Sequence, residues 1–566
     1  MSREVARARQ SQLVTTYGVG SLFPAQNQSY MIMGLDSWSD RSPEILEPRL
    51  ARLLGVSEFR APAVNDSNGG DLPVIRFPEW HFCPQCRRLD PIRKFKGWND
   101  NTCPDCDVEL VPSRFVACCE RGHIDEFPYY RWLHAGEQRP EPHSLRLIAR
   151  GRSSSLADIQ IHCSCGIQPV SLDGAFDSGA LKGIIKCRGR RPWLAETPPE
   201  ECTALPRTLQ RGSSNVWFPV TRSAISIPPW SEGAFKVLER HWKVLQAVPV
   251  DALEATIEAM GIAGPGFPLS ELVAAVRRAR GVDAVEQRNA DDLRADEYGA
   301  LRNGRPEVSR QQDFVCEEVD VAPGLRRSIR QVSRVSRLRE VRALKAFTRV
   351  LPPAFDTDPH NYAPLAAGPT SWLPAIQVIG EGIFVRLEPE RLAAWESTPF
   401  AQGRADIVQK SIDDRSRGRG LAERPFVTPR QLLIHTLAHA LIDQLSLDAG
   451  YPSASLRERL YTEDEMAGFL VYTATSDSAG SLGGVAAQSN PDRFEHAVEA
   501  AIARMSWCSS DPVCIESTGT GTDALNLAAC HSCLLLPETS CEMSNTFLDR
   551  ATLVGLPGTP DGFFSH

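Results

Sequence analysis

Residues 83–106 have the sequence CPQCRRLDPIRKFKGWNDNTCPDC, in which two Cys-x-x-Cys knuckles are separated by 16 residues. Each knuckle turns two thiolates toward one point, and two knuckles together close a tetrahedral four-sulfur zinc site that has no position for a water nucleophile. We therefore predict a structural zinc ion on Cys83, Cys86, Cys103 and Cys106. The surrounding segment is rich in Pro, Gly and Arg, as expected where a metal replaces a hydrophobic core.

The other cysteines are also grouped. Of the 16 cysteines, ten lie between Cys83 and Cys202 and five between Cys508 and Cys541, whereas Cys316 stands alone. In a long chain without a secretory signal, such groups indicate metal ligands rather than disulfides. A second N-terminal metal site has enough candidate ligands among Cys118, Cys119, His123, Cys163, Cys165, Cys187 and Cys202. The predicted set is Cys119, His123, Cys163, Cys165 and Cys187. Its spacing is irregular, and buried thiols with a core histidine are the alternative.

Near the C-terminus, five thiols are available for a site that needs four. Cys530 and Cys533 form one clear knuckle, so we predict a second zinc site here. The first choice of ligands is Cys514, Cys530, Cys533 and Cys541, with Cys508 as the substitute. Spacing alone leaves the choice of four open.

Two histidines lie four residues apart, at His435 and His439, a spacing that can bind zinc on one helical face. The glutamate of a metalloprotease motif is absent, and the leucines around them favour a core helix with hydrogen-bonded histidines. A metal-dependent hydrolase or nuclease using both histidines and Asp477 is the alternative function. The Gly-rich stretch 476–484 is a candidate phosphate loop or a simple tight turn.

The densest positive stretch of the chain runs from Arg326 to Arg349, with nine basic residues against the single acid Glu340. Such a cluster can neutralise phosphates or pair with an acidic protein surface, and a solvated helix face is the third possibility. The predicted nucleic-acid-binding residues are Arg326, Arg327, Arg330, Arg334, Arg337 and Arg342.

Composition and missing motifs exclude several classes of protein. A formal charge of -8 argues against a protein that coats nucleic acid with its whole surface. The mean hydropathy of -0.25 and the short apolar runs predict no membrane span, and the charged N-terminus predicts a cytoplasmic protein. The sequence has no phosphate-binding loop of the GxxxxGK[ST] type, no complete dinucleotide-binding fingerprint and no nucleophile elbow, and we identify no catalytic residues.

The expected fold is mixed α/β and multidomain. We predict a β-rich N-terminal domain at 1–80, a cysteine-rich zinc-ribbon region at 81–220 and a helical region with the basic run at 221–350. A β-containing connector at 351–424 and a C-terminal α/β zinc-binding domain at 425–566 complete the chain. Thr428, Pro429 and Gln431 predict the start of a helix, and Gly261 and Gly281 predict helix ends.

Several segments resemble the DrmB family, subunits of the bacterial DISARM anti-phage defence system, and together they span most of the chain. They are RQSQLVTTYGVGSLF at 9–23, the knuckles at 83–106, CCERGHIDEFPYYRWLH at 118–134, RLREVRALKAFTR at 337–349, HTLAHALI at 435–442 and AACHSCLLLPETSCEMSNTFLDR at 528–550. The region from about residue 425 also resembles the cysteine-bearing domain of MrfA-type superfamily 2 helicases.

The resemblance implies a non-motor subunit that binds a DrmA-like helicase. Its further implied partners are phage DNA with a single-stranded portion and a DNA methyltransferase, and its implied cofactor is zinc. The missing ATP-binding motif agrees with a motor in another chain. Three hypotheses result: a zinc-stabilised accessory subunit, the metal-dependent hydrolase, and an assembly scaffold that never touches DNA.

Overall fold

A computed structural model of the protein describes most of the chain. The described residues are 4–39, 42–63, 71–98, 100–137, 143–149, 155–195, 197–264, 267–281, 290–308, 312–353, 359–419, 426–473, 484–520 and 525–565. Within these ranges, none of the helices has the length and apolar character needed to cross a lipid bilayer.

The chain divides into two compact units, each built from separate stretches of sequence. The first unit contains residues 1–45, 54–222 and 342–376, and the second contains 46–53, 223–341 and 377–566. This division differs from the five consecutive segments predicted above. Residue 425, the predicted start of the C-terminal domain, lies outside the described residues.

Most strands are short and lie in the N-terminal half of the chain. They are β1 (Leu22–Ala25), β2 (Gln28–Ile32), β3 (Glu44–Ile45), β4 (Glu58–Arg60), β5 (Val74–Arg76), β6 (Trp80–Phe82), β7 (Arg88–Pro91), β8 (Val111–Pro112), β9 (Phe115–Cys118), β10 (Ile124–Glu126), β11 (Leu145–Ala149), β12 (Ile159–Cys163), β13 (Val170–Ser171), β14 (Arg207–Gln210), β15 (Phe218–Ile225), β16 (Val315–Val319), β17 (Ile329–Thr348), β18 (Trp372–Leu387), β19 (Leu456–Tyr461) and β20 (Gly468–Thr473).

The helices lie mainly in the second unit. They are α1 (Gln12–Thr15), α2 (Pro48–Leu54), α3 (Tyr129–Leu133), α4 (Ala234–Leu238), α5 (Trp242–Ala247), α6 (Leu253–Ala259), α7 (Leu269–Arg280), α8 (Ala290–Asn303), α9 (Pro389–Glu396), α10 (Pro399–Arg419), α11 (Pro429–Ala449), α12 (Pro491–Met505) and α13 (Ala551–Val554). The expected mixed α/β fold, with a β-rich N-terminal part and a helical middle, is confirmed.

The first unit is built from small sheets whose connections carry cysteines. The largest sheet has the order β13-β12-β11-β7-β6-β8, and two others have the orders β1-β2-β5 and β10-β9-β14. One knuckle lies in the turn between β6 and β7. Among the described residues around the knuckles, the fully buried apolar side chains besides the cysteines are those of Ile92 and Leu110, with Phe95 and Val108 partly buried beside them. This local core is too small to hold its segment without a further cross-link.

Helix α11 is the centre of the second unit. The Thr428 hydroxyl accepts a hydrogen bond from the Gln431 backbone N–H at 3.1 Å, Pro429 occupies the first turn, and Gly450 ends the helix with a φ of 71°. The predicted helix start is therefore confirmed. Most of the helix surface is apolar, as expected for a helix that is buried on several sides. Strands β19 and β20 and helix α12 pack around it. Gly281 likewise ends α7 in the left-handed conformation.

The basic run forms the long strand β17 and not a helix face. Val332, Val335 and Leu338 recur every three residues, but both faces of the strand are covered, so burial does not alternate along it. Several of its arginines serve the fold. Arg339 donates to Gln377 and Ser226 inside the second unit, and Arg349 donates to the carbonyl groups of Gly20, Gly122 and Val216 inside the first.

Candidate metal centres

In the described part of the chain, four groups made up of cysteine and histidine side chains converge closely enough for one metal ion to contact every member. In each group the ligand atoms lie within 4.8 Å of one another. They are the knuckle cluster (Cys83, Cys86, Cys103, Cys106), the β9 cluster (Cys119, His123, Cys187, Cys202), the two-histidine cluster (His134, His143, Cys163, Cys165) and the C-terminal thiol cluster (Cys508, Cys514, Cys530, Cys533). All these cysteines are free thiols.

The knuckle cluster brings together the four predicted cysteines through two matching turns. The backbone N–H of Cys83 donates to the carbonyl of Arg88, and that of Cys103 donates to the carbonyl of Val108, both at 2.9 Å. The Sγ atoms of Cys86 and Cys103 are 3.8 Å apart. Four thiolates at about 2.3 Å from one zinc ion lie about 3.8 Å from one another. The geometry therefore fits a four-sulfur zinc site and is far too long for a disulfide.

Backbone amides favour the thiolate form of Cys83 in this cluster. The Cys86 N–H points to the Cys83 Sγ at 3.4 Å. Burial raises the pKa of the Cys83 thiol, but the N–H groups of Cys86 and Gln85, together with hydrogen bonds from the Cys86 and Cys103 thiols, lower the pKa to about 7. The thiolate is the form that binds metal, so this turn prepares the ligand before the ion arrives.

The β9 cluster joins residues that are distant in sequence. The Cys119 Sγ lies 3.6 Å from that of Cys187 and 4.0 Å from that of Cys202. His123 presents Nδ1 to the sulfurs of Cys119 and Cys187 at 3.4 and 3.6 Å, and its Nε2 pairs with a Glu200 carboxylate oxygen at 3.0 Å. A carboxylate behind a histidine fixes the ring so that its other nitrogen can bind zinc.

Cys163 and Cys165 belong to the two-histidine cluster, whereas the sequence analysis grouped them with Cys119, His123 and Cys187. Cys165 Sγ lies 3.5 Å from His134 Nε2, and Cys163 Sγ lies 3.2 Å from His143 Nδ1. His134 Nδ1 donates to the Tyr130 carbonyl at 2.7 Å, which leaves Nε2 free to bind metal. The predicted second N-terminal set is therefore corrected: its members belong to two different clusters.

The C-terminal thiol cluster contains Cys508 in place of Cys541. Sγ of Cys508 is 3.5 Å from that of Cys530, and Sγ of Cys514 is 3.8 Å from that of Cys533. The first choice of four ligands was wrong in one member, because Cys541 lies instead beside His435 at 3.2 Å. Backbone N–H groups again point to the sulfurs, for example Ser532 to Cys530 at 3.4 Å.

Three ligand candidates escaped the sequence analysis. His134 and His143 have no spacing relative to Cys163 that marks them. Only in the folded chain do the packing of α3 against β12 and the pairing of β11 with β12 bring them together. Glu458 was missed for the same reason, since it lies on β19 beside the histidines of α11. His134 does fall within one of the segments that carry the resemblance, which was a usable signal. Asp477 and most of the 476–484 loop lie outside the described residues.

The predicted nucleic-acid-binding arginines have different environments. Arg326, Arg327 and Arg330 are exposed, whereas Arg334 and Arg337 are half-buried. Arg342 is only 4% exposed, which corrects its assignment to a DNA-binding surface, because a buried side chain cannot reach a phosphate. Arg334 donates to the hydroxyl of Ser489 at 3.2 Å.

Comparison with known proteins supports the zinc assignment. A family model described as the MrfA Zn-binding domain matches residues 437–534, and a domain of unknown function (DUF8724) matches residues 9–218. The first match includes all four ligands of the C-terminal thiol cluster. Zinc as a cofactor is thereby confirmed, and the thiolate-rich donor sets and tetrahedral spacings fit that ion.

A curated relative matches the chain along nearly its whole length. The chain is 29% identical over 548 residues to the DISARM protein DrmB of Bacillus paralicheniformis, and the match covers 93% of this chain and 97% of that protein. The resemblance to the DrmB family and to the MrfA-type cysteine-bearing domain, expected from the sequence, is confirmed.

Proposed function

We propose that this chain, as a relative of the DISARM protein DrmB, is a non-motor accessory subunit of a cytoplasmic anti-phage defence complex. It binds a superfamily 2 helicase of the DrmA type and helps that helicase hold phage DNA, with a DNA methyltransferase as a further partner. The observation that carries the proposal is the match over 93% of this chain and 97% of the relative, because it leaves little of either protein unaccounted for.

The clusters support a structural role for the metal. Each of the four offers four protein ligands, and a zinc ion with four protein ligands has no open position at which to activate water. The sequence also has no phosphate-binding loop of the motor type. Both features suit a subunit that holds shape for a partner with ATPase activity.

The DNA contact that we propose is restricted to the start of the basic run. Three arginines at the start of β17 have exposed side chains. Arg330 is the second residue of the strand, and Arg326 and Arg327 precede it. The Arg326 side chain is oriented by a hydrogen bond from Nε to the Val321 carbonyl at 3.0 Å. Exposed arginines of this kind bind phosphates, and each phosphate that they neutralise releases counterions.

The helicase proposal is tested with the purified full-length chain, alone and mixed with the DrmA-type helicase of the same defence system. We expect the two to elute together in size-exclusion chromatography, and we expect ATP hydrolysis only when the helicase is present. DNA binding should rise when the complex forms. Failure to co-elute, or ATP hydrolysis by this chain alone, would contradict the proposal.

The DNA surface is tested by replacing Arg326, Arg327 and Arg330 together with alanine. We expect weaker DNA binding by the complex and a slope of log K against log salt that is smaller by up to about 3, at roughly 0.9 for each phosphate that is no longer neutralised. The matched control removes three exposed positive charges outside the run, at Arg222, Arg278 and Lys410. Equal changes in both triple variants would mean that net charge, and not this surface, determines binding.

A further inference from the structure

A fifth cluster of ligand atoms lies inside the second unit of the described chain. It consists of His435 and His439, one turn apart on α11, with Glu458 on β19 and Cys541 in the C-terminal segment, and we call it the buried cluster. The two histidines and the glutamate have no exposed surface, and Cys541 is 5% exposed. No solvent is therefore available to satisfy these polar atoms.

The four ligand atoms face one another at distances that suit a shared ion. His435 Nε2 lies 3.0 Å from His439 Nε2, 3.1 Å from Glu458 Oε1 and 3.2 Å from Cys541 Sγ. His439 Nε2 lies 3.5 Å from the same Glu458 oxygen. Ligand atoms around a tetrahedral zinc with these donor types lie about 3.2–3.6 Å apart.

Protons alone do not satisfy this arrangement. His439 Nδ1 donates to the Leu534 carbonyl at 2.9 Å, so the neutral ring carries a lone pair, and not a proton, on Nε2. One proton on His435 Nε2 can serve only one of its three neighbours. The other two of these neighbours, which are the His439 lone pair, the Glu458 carboxylate or the Cys541 sulfur, would then lack that donor in a site without water, which is costly.

A divalent cation resolves both the charge and the hydrogen bonding. The carboxylate and a thiolate supply two negative charges, and two neutral imidazoles supply lone pairs, so one divalent ion leaves the buried site neutral. The ligands are already oriented: Cys541 Sγ accepts the N–H groups of Met543 at 3.3 Å and Asn545 at 3.2 Å. Oε1 of Glu458 accepts the N–H of Glu542 at 3.1 Å.

We propose that His435, His439, Glu458 and Cys541 bind a zinc ion, a second one in the C-terminal unit beside that of the thiol cluster. Sulfur, imidazole and carboxylate are all ligands that zinc accepts. With four protein ligands and no solvent access, the ion is structural and joins α11, β19 and the C-terminal segment. This inference does not depend on the proposed function, and it replaces the hydrolase hypothesis for the same two histidines.

The two sites of this unit are connected through one residue. Leu534, whose carbonyl orients His439, directly follows Cys533 of the thiol cluster. The position of the Leu534 carbonyl, and with it the orientation of His439, therefore depends on the neighbouring ligand Cys533. Loss of either ion should loosen the other site, because outer hydrogen bonds tune ligand orientation.

The proposal is tested first by counting zinc ions per chain, by native mass spectrometry and elemental analysis of the full-length protein. We expect His439→Asn and Cys541→Ser to contain at least one zinc ion fewer than the unmodified chain. Cys316→Ser is the matched control, since Cys316 is buried but outside all five clusters, and it should keep the full complement. Folded variants with an unchanged zinc count would overturn the proposal.

A second measurement needs no variant. Crystals of the unmodified protein, measured on both sides of the zinc absorption edge, should give an anomalous difference peak between the His435, His439, Glu458 and Cys541 ligand atoms. A map with peaks at the thiol clusters but none here would show that the buried cluster holds only protons. This result would overturn the inference and leave the proposed function untouched.

Discussion

Replacing Glu126 with glutamine should make the stability of the first unit less dependent on pH. Glu126 ends strand β10, and its Oε1 accepts the Glu79 backbone N–H at 2.6 Å. Its other carboxyl oxygen is buried and makes no hydrogen bond within the described part of the chain. Burial raises the pKa of this carboxyl to about 8, from an ordinary value of 4.5.

The raised pKa fixes the sign of the effect. Between about pH 4.5 and pH 8, the folded chain keeps the Glu126 proton and the unfolded chain does not, so the free energy of unfolding falls as pH rises. The slope is about 1.4 kcal/mol per pH unit. It flattens as the folded-state pKa is reached, so about 2 kcal/mol is lost between pH 6 and pH 8.

The assay is urea unfolding of the zinc-loaded full-length chain at pH 6, 7 and 8. Glutamine has no charge at any of these pH values. The free energy of unfolding of Glu126→Gln, relative to that of the unmodified chain, should therefore be about 2 kcal/mol higher at pH 8 than at pH 6. Asp177→Asn, at an exposed position, is the control and should leave the pH dependence unchanged. Parallel curves for Glu126→Gln and the unmodified chain would refute the reasoning.

Three further changes have expected outcomes. Cys83→Ser should cost one zinc ion per chain and lower the melting temperature, whereas Cys118→Ser, outside the clusters, should keep the zinc content measured by elemental analysis. The Arg404 guanidinium donates to the two carboxylate oxygens of Asp549 at 2.6 and 2.9 Å. Arg404→Met therefore leaves this buried carboxylate without its cation. It should cost about 3–5 kcal/mol in denaturant unfolding, most of it recovered by adding Asp549→Asn. Thr428→Ala should cost about 1 kcal/mol through loss of the helix cap, measured in the same way.

The features that the sequence predicted well are local ones. The knuckle cluster is complete within 24 residues, and the start of α11 depends on Thr428 and its next three neighbours. Turn and capping chemistry act over a few residues, so a single sequence is enough to detect them. The mixed α/β fold followed in the same way from segments of clear periodicity.

The features that it predicted poorly depend on tertiary structure. Cys119 and Cys202 are 83 residues apart, and strand pairing, not spacing, brings them together. The spacing of the C-terminal cysteines did not decide between Cys508 and Cys541 as a ligand, because only the folded chain places Cys541 beside α11. The basic run was misjudged because a strand that is buried on both faces does not alternate.

The discontinuous composition of the first unit has a consequence for biosynthesis. Residues 342–376 complete that unit, yet the ribosome must first translate the intervening segment 223–341, which belongs to the other unit. At about 5–20 residues per second, this delay is roughly 6–24 s. During that interval the nascent chain already exposes the cysteines of three clusters without the strands that complete their unit. Metal capture during translation would protect these thiols, so the cell's supply of exchangeable zinc should limit the yield of intact protein.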